Sequence, residues 1–494
     1  MNKFYVTTPI YYINDVPHIG HAYTTLAADI IARYYGEKLG KENVFFLTGT
    51  DEHGAKVATA AKAAGKNPKE FADSIVPQFE SAWSLLNIRY SHFFRTTDPR
   101  HEKIVREVLQ KIYDKGLIYE GIYEGLYCEG CEKFLTENDL VNDKCPLHPN
   151  LTPIHQKEKN YFFKLSKFKK DLIELFSRDT VEILPISKKN EILGKLKDEL
   201  KDIAISREGV SWGIPIPWDN KQTIYVWVEA LFNYYTATKF LEGGEEFWPA
   251  DVHLIGKDIL WFHTVIWCAL LGAAEFALPK TVFAHGFFTI NGEKMSKSLG
   301  NVISPKELVD KFGVDGTRYL LISQFPFGQD GNFSIEKLEK TYNAYLANGL
   351  GNLVARVAKL CADSGFIFKK GIPTWRDMLD WTESMSWFSP DSGSASKILL
   401  NGIKDTIENY SFYEAIIILQ AEINRLNQEI SKDEPWLLLS ENEIPKLHEK
   451  LDLYVRLIIV IAVLLKPFIP ETSEKILNAF SGEVKVVPSL FPRI

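Results

Sequence analysis

The N-terminal segment constrains the fold more tightly than any other part of the chain. Lys3–Thr8 is a short β-rich run, and Asn43–Leu47 (Asn-Val-Phe-Phe-Leu) is a second one. Between them, Gly20–Tyr35 places Ala22, Leu26, Ala27, Ile30, Ile31 and Tyr34 at helical spacing. A strand, a helix and a second buried strand make a βαβ unit, which implies an α/β fold with a doubly wound parallel sheet. Thr223–Trp227, Val252–Ile255 and Thr281–Phe283 are short apolar runs among helical segments and are expected to extend the same sheet.

Between about 115 and 210 the texture changes. Cysteines cluster, lysine-rich pieces such as Lys167-Phe-Lys-Lys170 appear, and the strand–helix alternation lapses. An inserted domain accounts for this. After about 335 the pattern is helical to the C-terminus, except for Ser384–Ser396, a Ser/Gly/Pro-rich stretch expected to form a loose loop. The expected division is a first half of the sheet domain at 1–114, an inserted connective domain at 115–211, a second half at 212–280, a segment bearing a lysine-containing loop at 281–340, and a helical domain at 341–494. At one domain per roughly 100–200 residues, a chain of 494 residues has room for these units.

Composition narrows the function. Lys+Arg 57 against Asp+Glu 64 gives a net charge of −7, so the chain is no general polycation, and any RNA binding must come from local patches and shape. Five cysteines spread over this length form no disulfide framework, and the N-terminus carries no apolar leader. A cytoplasmic, reducing setting is the expectation. Leu457–Leu465 and Ile259–Ala274 are apolar, but the first is short and the second contains His263. Neither reaches the ~20 residues of a membrane span, so no membrane association is expected.

Three motifs suggest chemistry. Pro17-His-Ile-Gly-His21 stands where the first strand hands over to the helix. Free amides and the helix dipole there favour an anion, and Gly20 permits close approach, although two histidines in a turn can equally be polar surface. Glu293-Lys-Met-Ser-Lys-Ser298 is a Gly/Ser-flanked loop with two lysines three apart. Alone it reads as a solvated charge run; paired with His-x-Gly-His on a nucleotide-type sheet it reads as a phosphate-gripping loop. Cys128-Glu-Gly-Cys131 and Cys145-Pro-Leu-His148 supply three thiolates and an imidazole in two knuckle-like pairs. That spacing fits one tetrahedral, structural Zn2+, the alternative being unligated thiols in a loop-rich insertion. Gly49–Val57 and Gly349–Val354 fail as phosphate loops, because the first lacks Gly-Lys-Ser/Thr and the second lacks its third glycine.

His18–His21 (His-Ile-Gly-His) and Lys294–Ser298 (Lys-Met-Ser-Lys-Ser) together resemble the two signatures of the class I aminoacyl-tRNA synthetases. Thr7-Thr-Pro-Ile-Tyr-Tyr12 and Thr48–Gly54 look more closely like the methionyl branch of that family, and the likeness runs over essentially the whole chain. It implies a Rossmann-type catalytic domain with a zinc-binding insertion, followed by an all-α anticodon-binding domain. It also implies activation of L-methionine by ATP, carried with Mg2+, to methionyl-adenylate and pyrophosphate, then transfer to the 3′ end of tRNA(Met), initiator and elongator. By the same resemblance, His18, His21, Lys294 and Lys297 are catalytic. Gly20 and Asp258 join those four around ATP, with Gly20 under the adenine, and His285-Gly-Phe-Phe288 completes the nucleotide surface. Ile10, Tyr12, Trp227, Ala230, Leu231, Tyr234, His263 and Trp267 fall on the methionine side-chain pocket, and Asp51 falls on the carboxylate that holds the amine. Taken singly, each of these aromatics reads as ordinary core. Glu229 departs from the aspartate more usual at its position. Asn352, Arg356 and Trp436 match anticodon-binding positions, although as bare sequence they read as a polar helix face and a core ring. The chain shows no basic C-terminal extension of the kind some relatives use to dimerise, so a monomer is expected.

Other readings weigh less. A class I synthetase for another apolar amino acid would be expected to carry a larger editing insertion. A small nucleotidyltransferase would not need the helical third, and a non-catalytic zinc-containing tRNA-binding protein would have lost one of the two phosphate motifs.

Overall fold

The computed structural model describes residues 2–494 except 15, 129–132, 136–139, 147–149, 291, 296–300 and 380–392. At 123, 133–134, 156, 294, 379 and 393–397 it describes the backbone alone.

Among the described residues, six strands form the central sheet: β1 (Phe4–Tyr12), β2 (Val44–Asp51), β3 (His92–Arg95), β4 (Glu182–Leu184), β5 (Val252–Gly256) and β6 (Thr281–His285). Their spatial order is β3-β2-β1-β5-β6-β4, and every pairing is parallel. Alternation along the strands explains the continuous apolar runs, because both faces are covered. Phe4, Val6, Phe46, Leu254 and Phe283 enter one core, while Tyr5, Phe45, Leu47, Ile255 and Val282 enter the other. Helix α1 (Ile19–Leu39) crosses from β1 to β2 with thirteen of its residues buried, so the βαβ unit forms as expected.

Two expectations need correction. Thr223–Trp227 is not a strand of the main sheet. The strand there is Asp219–Ile224, which pairs antiparallel with Ser206–Glu208 and Pro215–Ile216 in a separate three-stranded sheet, and Val226–Leu231 is already helical. The 115–211 stretch is also not wholly an insertion, because β4 within it pairs with β6 at the edge of the main sheet. The rest of that stretch is built on a long antiparallel pair, Ile118–Cys128 with Ile154–Phe163.

Beyond residue 335 the described residues are mainly helical, with one small exception among them: Ile367–Phe368 pairs with Gly482–Glu483. Leu457–Leu465 closes a 22-residue helix, Ile444–Leu465, and is buried in the core of the helical region. Among the described residues, no helix is long and apolar enough to cross a membrane. Of the Ser384–Ser396 stretch expected to be a loop, 384–392 lie outside the described residues, and Gly393–Ser396 already belong to the helix Gly393–Glu408.

One buried ion pair ties these parts together. Arg318, on the Val314–Ile322 helix, places Nη2 2.7 Å from Asp29 Oδ2 of α1, and neither side chain is exposed. Its nitrogens also donate to the carbonyls of Leu86, Pro467 and Phe468 at 2.8–3.0 Å. Removing one partner of such a pair leaves an uncompensated buried charge. Arg318→Met is therefore expected to lower unfolding stability by about 3–5 kcal/mol, read as a shift in the urea midpoint at constant slope.

Candidate active site

The strand order reverses between β1 and β5, and in open parallel sheets ligands bind outside the carboxyl ends at such a point. The first motif lies there. His18 caps α1: its Nδ1 accepts from the Gly20 amide at 3.1 Å, while His21 Nδ1 accepts from the His18 amide at 3.3 Å. The two rings stack with centroids 3.8 Å apart. With both Nδ1 atoms accepting, each ring carries its proton on Nε2, and the pair forms two neutral donors at a helix N-terminus. Burial, and then the neighbouring His18, hold His21 well below the ordinary imidazole range.

The second motif meets the first. A Cβ on Gly20 would stand 2.9 Å from His18 Cε1 and 3.4 Å from Met295 Cε, so glycine is what lets the helix start lie against the ring and the loop. The Ile19 amide donates to the Ile303 carbonyl just beyond that loop at 3.0 Å. Lys294 ends a short strand, Glu293–Lys294, paired with Phe288–Ile290. The Lys294 side chain and all of Lys297 lie outside the described residues. At the end of β5, Lys257 Nζ bonds both Asp330 oxygens at 2.6 and 2.7 Å, and Asp258 is exposed. His285, at the end of β6, donates from Nδ1 to the Gly286 carbonyl and accepts from the Thr24 hydroxyl at 2.6 Å; burial pushes it down to about 4.

Beside this lies a cluster of buried aromatic side chains. The Tyr234 hydroxyl sits 2.7 Å from His263 Nε2, and Tyr234 also packs against His253 and Trp267. His263 Nδ1 is 2.9 Å from the Ile259 carbonyl, which can only accept, so Nδ1 carries the proton and Tyr234 donates to Nε2. His253 Nε2 accepts from Trp267 Nε1 at 3.3 Å, which leaves Nδ1–H to donate to Thr7 Oγ1 at 2.7 Å. Burial lowers both rings, His263 to about 4 and His253 well below its ordinary value. Trp227 is half-buried and stacks on Phe262 at 4.3 Å. Ala230 and Leu231 are buried on the same helix, while Ile10 and Tyr12 are partly open at the end of β1. Asp51 pairs in register with Tyr12.

Sequence reasoning took Asp51 from its motif and missed the next two residues. Glu52 is fully buried, accepting from Arg95 Nε and Nη2 at 2.6 and 2.9 Å and from the Thr50 and Thr97 hydroxyls. His53 Nδ1 donates to Glu229 Oε1 at 2.9 Å, and His101 Nε2 donates to Glu229 Oε2 at 3.0 Å. Burial pushes His53 down, but the Glu229 charge outweighs it and leaves the ring above its ordinary value. An acid–histidine doublet directly after Asp51 was the available signal.

Two outlying sets remain. Cys128 and Cys145 are buried in one small cluster with Leu135, and neither is in a disulfide; Cys131 and His148 lie outside the described residues. Among the described residues there is no metal-binding group of three or more ligands. In the helical region, the Arg356 guanidinium lies over the Trp436 ring at 5.5 Å, and Asn352 is exposed one turn before Arg356 on the same helix.

A reversing parallel sheet whose two phosphate-type motifs meet at α1 defines a class I tRNA synthetase catalytic fold. The family described as tRNA synthetases class I (M) matches residues 4–152 and 138–358. The methionine–tRNA ligase of Caldanaerobacter subterraneus subsp. tengcongensis is 42% identical over 96% of this chain and 73% of its own. That of Rickettsia conorii is 41% identical over 97% of this chain and 92% of its own. Mycobacterium tuberculosis methionyl-tRNA synthetase in complex with methionyl-adenylate superposes with a TM-score of 0.90 at 33% identity, covering all of both chains. The chain belongs to the methionine–tRNA ligase family of class I synthetases.

The buried neutral histidines give a pH signature. Their folded values, about 4 for His263 and His285, lie below the ~6.5 of an unfolded histidine. The unfolded chain therefore binds more protons than the folded one between those limits, and stability falls as pH falls through that window. Each ring should contribute a loss of roughly 1.4 kcal/mol per pH unit there. Urea unfolding at pH 7.5 and pH 5.0 should show the loss, and His263→Gln should reduce it.

Proposed function

We propose that this chain activates L-methionine with ATP to methionyl-adenylate and pyrophosphate, then transfers methionine to the 3′ end of tRNA(Met). The observation that carries this is the junction of the two motifs: Gly20 against Met295 and the Ile19 amide on the Ile303 carbonyl, beside an uncharged aromatic wall. The methionine carboxylate is already ionised at neutral pH and needs no base to attack the α-phosphorus. The task left to the protein is alignment and charge stabilisation. His18 and His21 offer Nε2–H donors to phosphate oxygens, and Lys294 and Lys297 grip the leaving pyrophosphate. Gly20 and Asp258 complete the ATP site. Mg2+ enters with ATP and neutralises triphosphate charge.

Asp51 holds the substrate amine. Ile10, Tyr12, Trp227, Ala230, Leu231, Tyr234, His263 and Trp267 enclose the side chain, where a polarisable thioether packs well on ring edges. Buried neutral imidazoles suit an apolar substrate better than charged ones would. Across the twenty amino acids, methionine alone should support ATP–pyrophosphate exchange. A stronger signal with isoleucine, leucine or cysteine would overturn the specificity.

The two buried thiols, Cys128 and Cys145, share one cluster outside any disulfide and fit half of a structural zinc shell that Cys131 and His148 would complete. Elemental analysis of protein purified without chelator should give about one zinc per chain. A monomer in the cytoplasm that charges both initiator and elongator tRNA(Met) fits this reading, and sedimentation and charging of each tRNA test it.

Asn352, Arg356 and Trp436 would read the anticodon. Trp436 is 39% exposed, so a ring face is open to a base. A stacked base is worth ~1–3 kcal/mol by alanine substitution. Trp436→Ala should therefore cut charging of tRNA with a CAU anticodon at least about tenfold, while methionine-dependent exchange stays near normal. Equal loss in both assays would make Trp436 a core residue.

A further inference from the structure

The methionine pocket proposed above has two walls from distant parts of the chain. One is Asp51 at the end of β2; the other is the helix Val226–Leu231, which carries Trp227, Ala230 and Leu231. The β2 end is firmly fixed. Besides the four hydrogen bonds to the Glu52 carboxylate, the Glu52 amide donates to Thr96 Oγ1 at 3.0 Å, and its carbonyl accepts from Trp212 Nε1 at 2.6 Å.

The second wall has fewer supports. Its helix is six residues long and has no side-chain N-cap. A helix this short has little stability of its own and must be placed by tertiary contacts. Its single charged residue is Glu229, which points inward and is fully buried. Both carboxylate oxygens are used: Oε1 takes the His53 Nδ1 proton at 2.9 Å and Oε2 takes the His101 Nε2 proton at 3.0 Å. His101 is itself held, with Nδ1 2.9 Å from Thr236 Oγ1. His53 follows Asp51 by two residues, and Glu229 follows Trp227 by two. The contact thus joins the two walls directly.

Burying a carboxylate is costly, and a buried ion pair is often no more stabilising than an apolar packing of the same volume. Directional bonds from two histidines instead give a fixed separation, which an apolar contact does not. We propose that Glu229, gripped by His53 and His101, is a positioning residue that sets the spacing between the amine-binding wall and the thioether-binding wall, and hence the affinity for methionine. The inference rests on the methionine reading of the pocket. The contact should act on the amino acid and leave ATP alone: the cluster's hydrogen bonds run among His53, His101, Glu229 and Thr236, and among the described residues none of them reaches α1 or Glu293–Lys294.

The test is exchange kinetics on the full chain, with methionine and ATP varied separately. His53→Ala leaves a buried carboxylate oxygen without its donor, a loss that should raise KM for methionine about tenfold, with KM for ATP and kcat held within about threefold. His53→Asn puts an amide N–H where Nδ1 was and should bring KM for methionine back to within about threefold of wild type. His101→Gln, which replaces Nε2 in the same way, should also stay close to wild type while His101→Ala does not. The proposal is overturned if His53→Ala leaves KM for methionine unchanged, if both KM values rise together, or if asparagine is no better than alanine. Wild-type protein that shows no methionine-dependent exchange would instead remove the methionine reading, and the proposal with it.

Discussion

The Asp29–Arg318 pair is the interaction on which the arrangement of the molecule depends. Asp29 lies on α1, whose first residues carry His18, Gly20 and His21. It also binds Arg33 Nε at 2.6 Å and the Arg89 amide at 2.8 Å, so its carboxylate is fully engaged. Arg318 lies beyond the lysine loop and reaches carbonyls on either side of it in space, at Leu86 and at Pro467–Phe468. A guanidinium can serve this junction because its donors are fixed in a plane and can meet several acceptors at once. The desolvation cost of the charges is offset only because nearly every donor and lone pair has a partner. The result is a rigid junction of catalytic helix, sheet connection and helical region.

The site itself is divided by charge. His21, His253, His263 and His285 are all held neutral by burial, and their tautomers are fixed by neighbours that can only accept or only donate. A few residues away, the Glu52 and Glu229 carboxylates are fully buried, the first against the partly exposed Arg95 guanidinium and the second against the buried His53 ring. Uncharged rings suit a thioether; fixed charges suit an ammonium and the framework around it. In the proposed site an apolar and a polar environment would thus lie side by side, each built from buried groups oriented before the reaction.

Much of this was legible in the sequence, for identifiable reasons. Both faces of the sheet are buried, so β1, β2, β5 and β6 are continuous apolar runs, and α1 has a clear helical period. The two signature motifs are contiguous and survive as short strings. The errors follow from the same rules. Thr223–Trp227 is β-branched and aromatic, so it reads as a strand, yet Trp227 lies on the helix Val226–Leu231 and stacks on Phe262. The edge strand Glu182–Leu184 has three residues and sits in a lysine-rich stretch, too short to show a period. The Glu229–His53 bond joins positions 176 residues apart, and no local pattern in one sequence marks such a pair.

In the anticodon role proposed for it, Trp436 poses a different physical problem, because an exposed tryptophan would have to stay presented when nothing is bound. The ring begins a short helix after Glu434, a non-glycine residue in the left-handed region at φ 42°. Pro435 follows, with its own φ preset for a helix start, so the backbone entering the ring is constrained at two successive positions. Arg356 then covers part of the ring, with its guanidinium carbon 5.5 Å from the ring centroid, and is steadied by Ser431 Oγ at 3.4 Å. A cation over an aromatic face is worth about 0.5–1 kcal/mol at an exposed site, enough to favour one rotamer. An arriving base would then find the ring already placed, with a planar donor beside it, and less of the stacking energy would go into ordering the side chain.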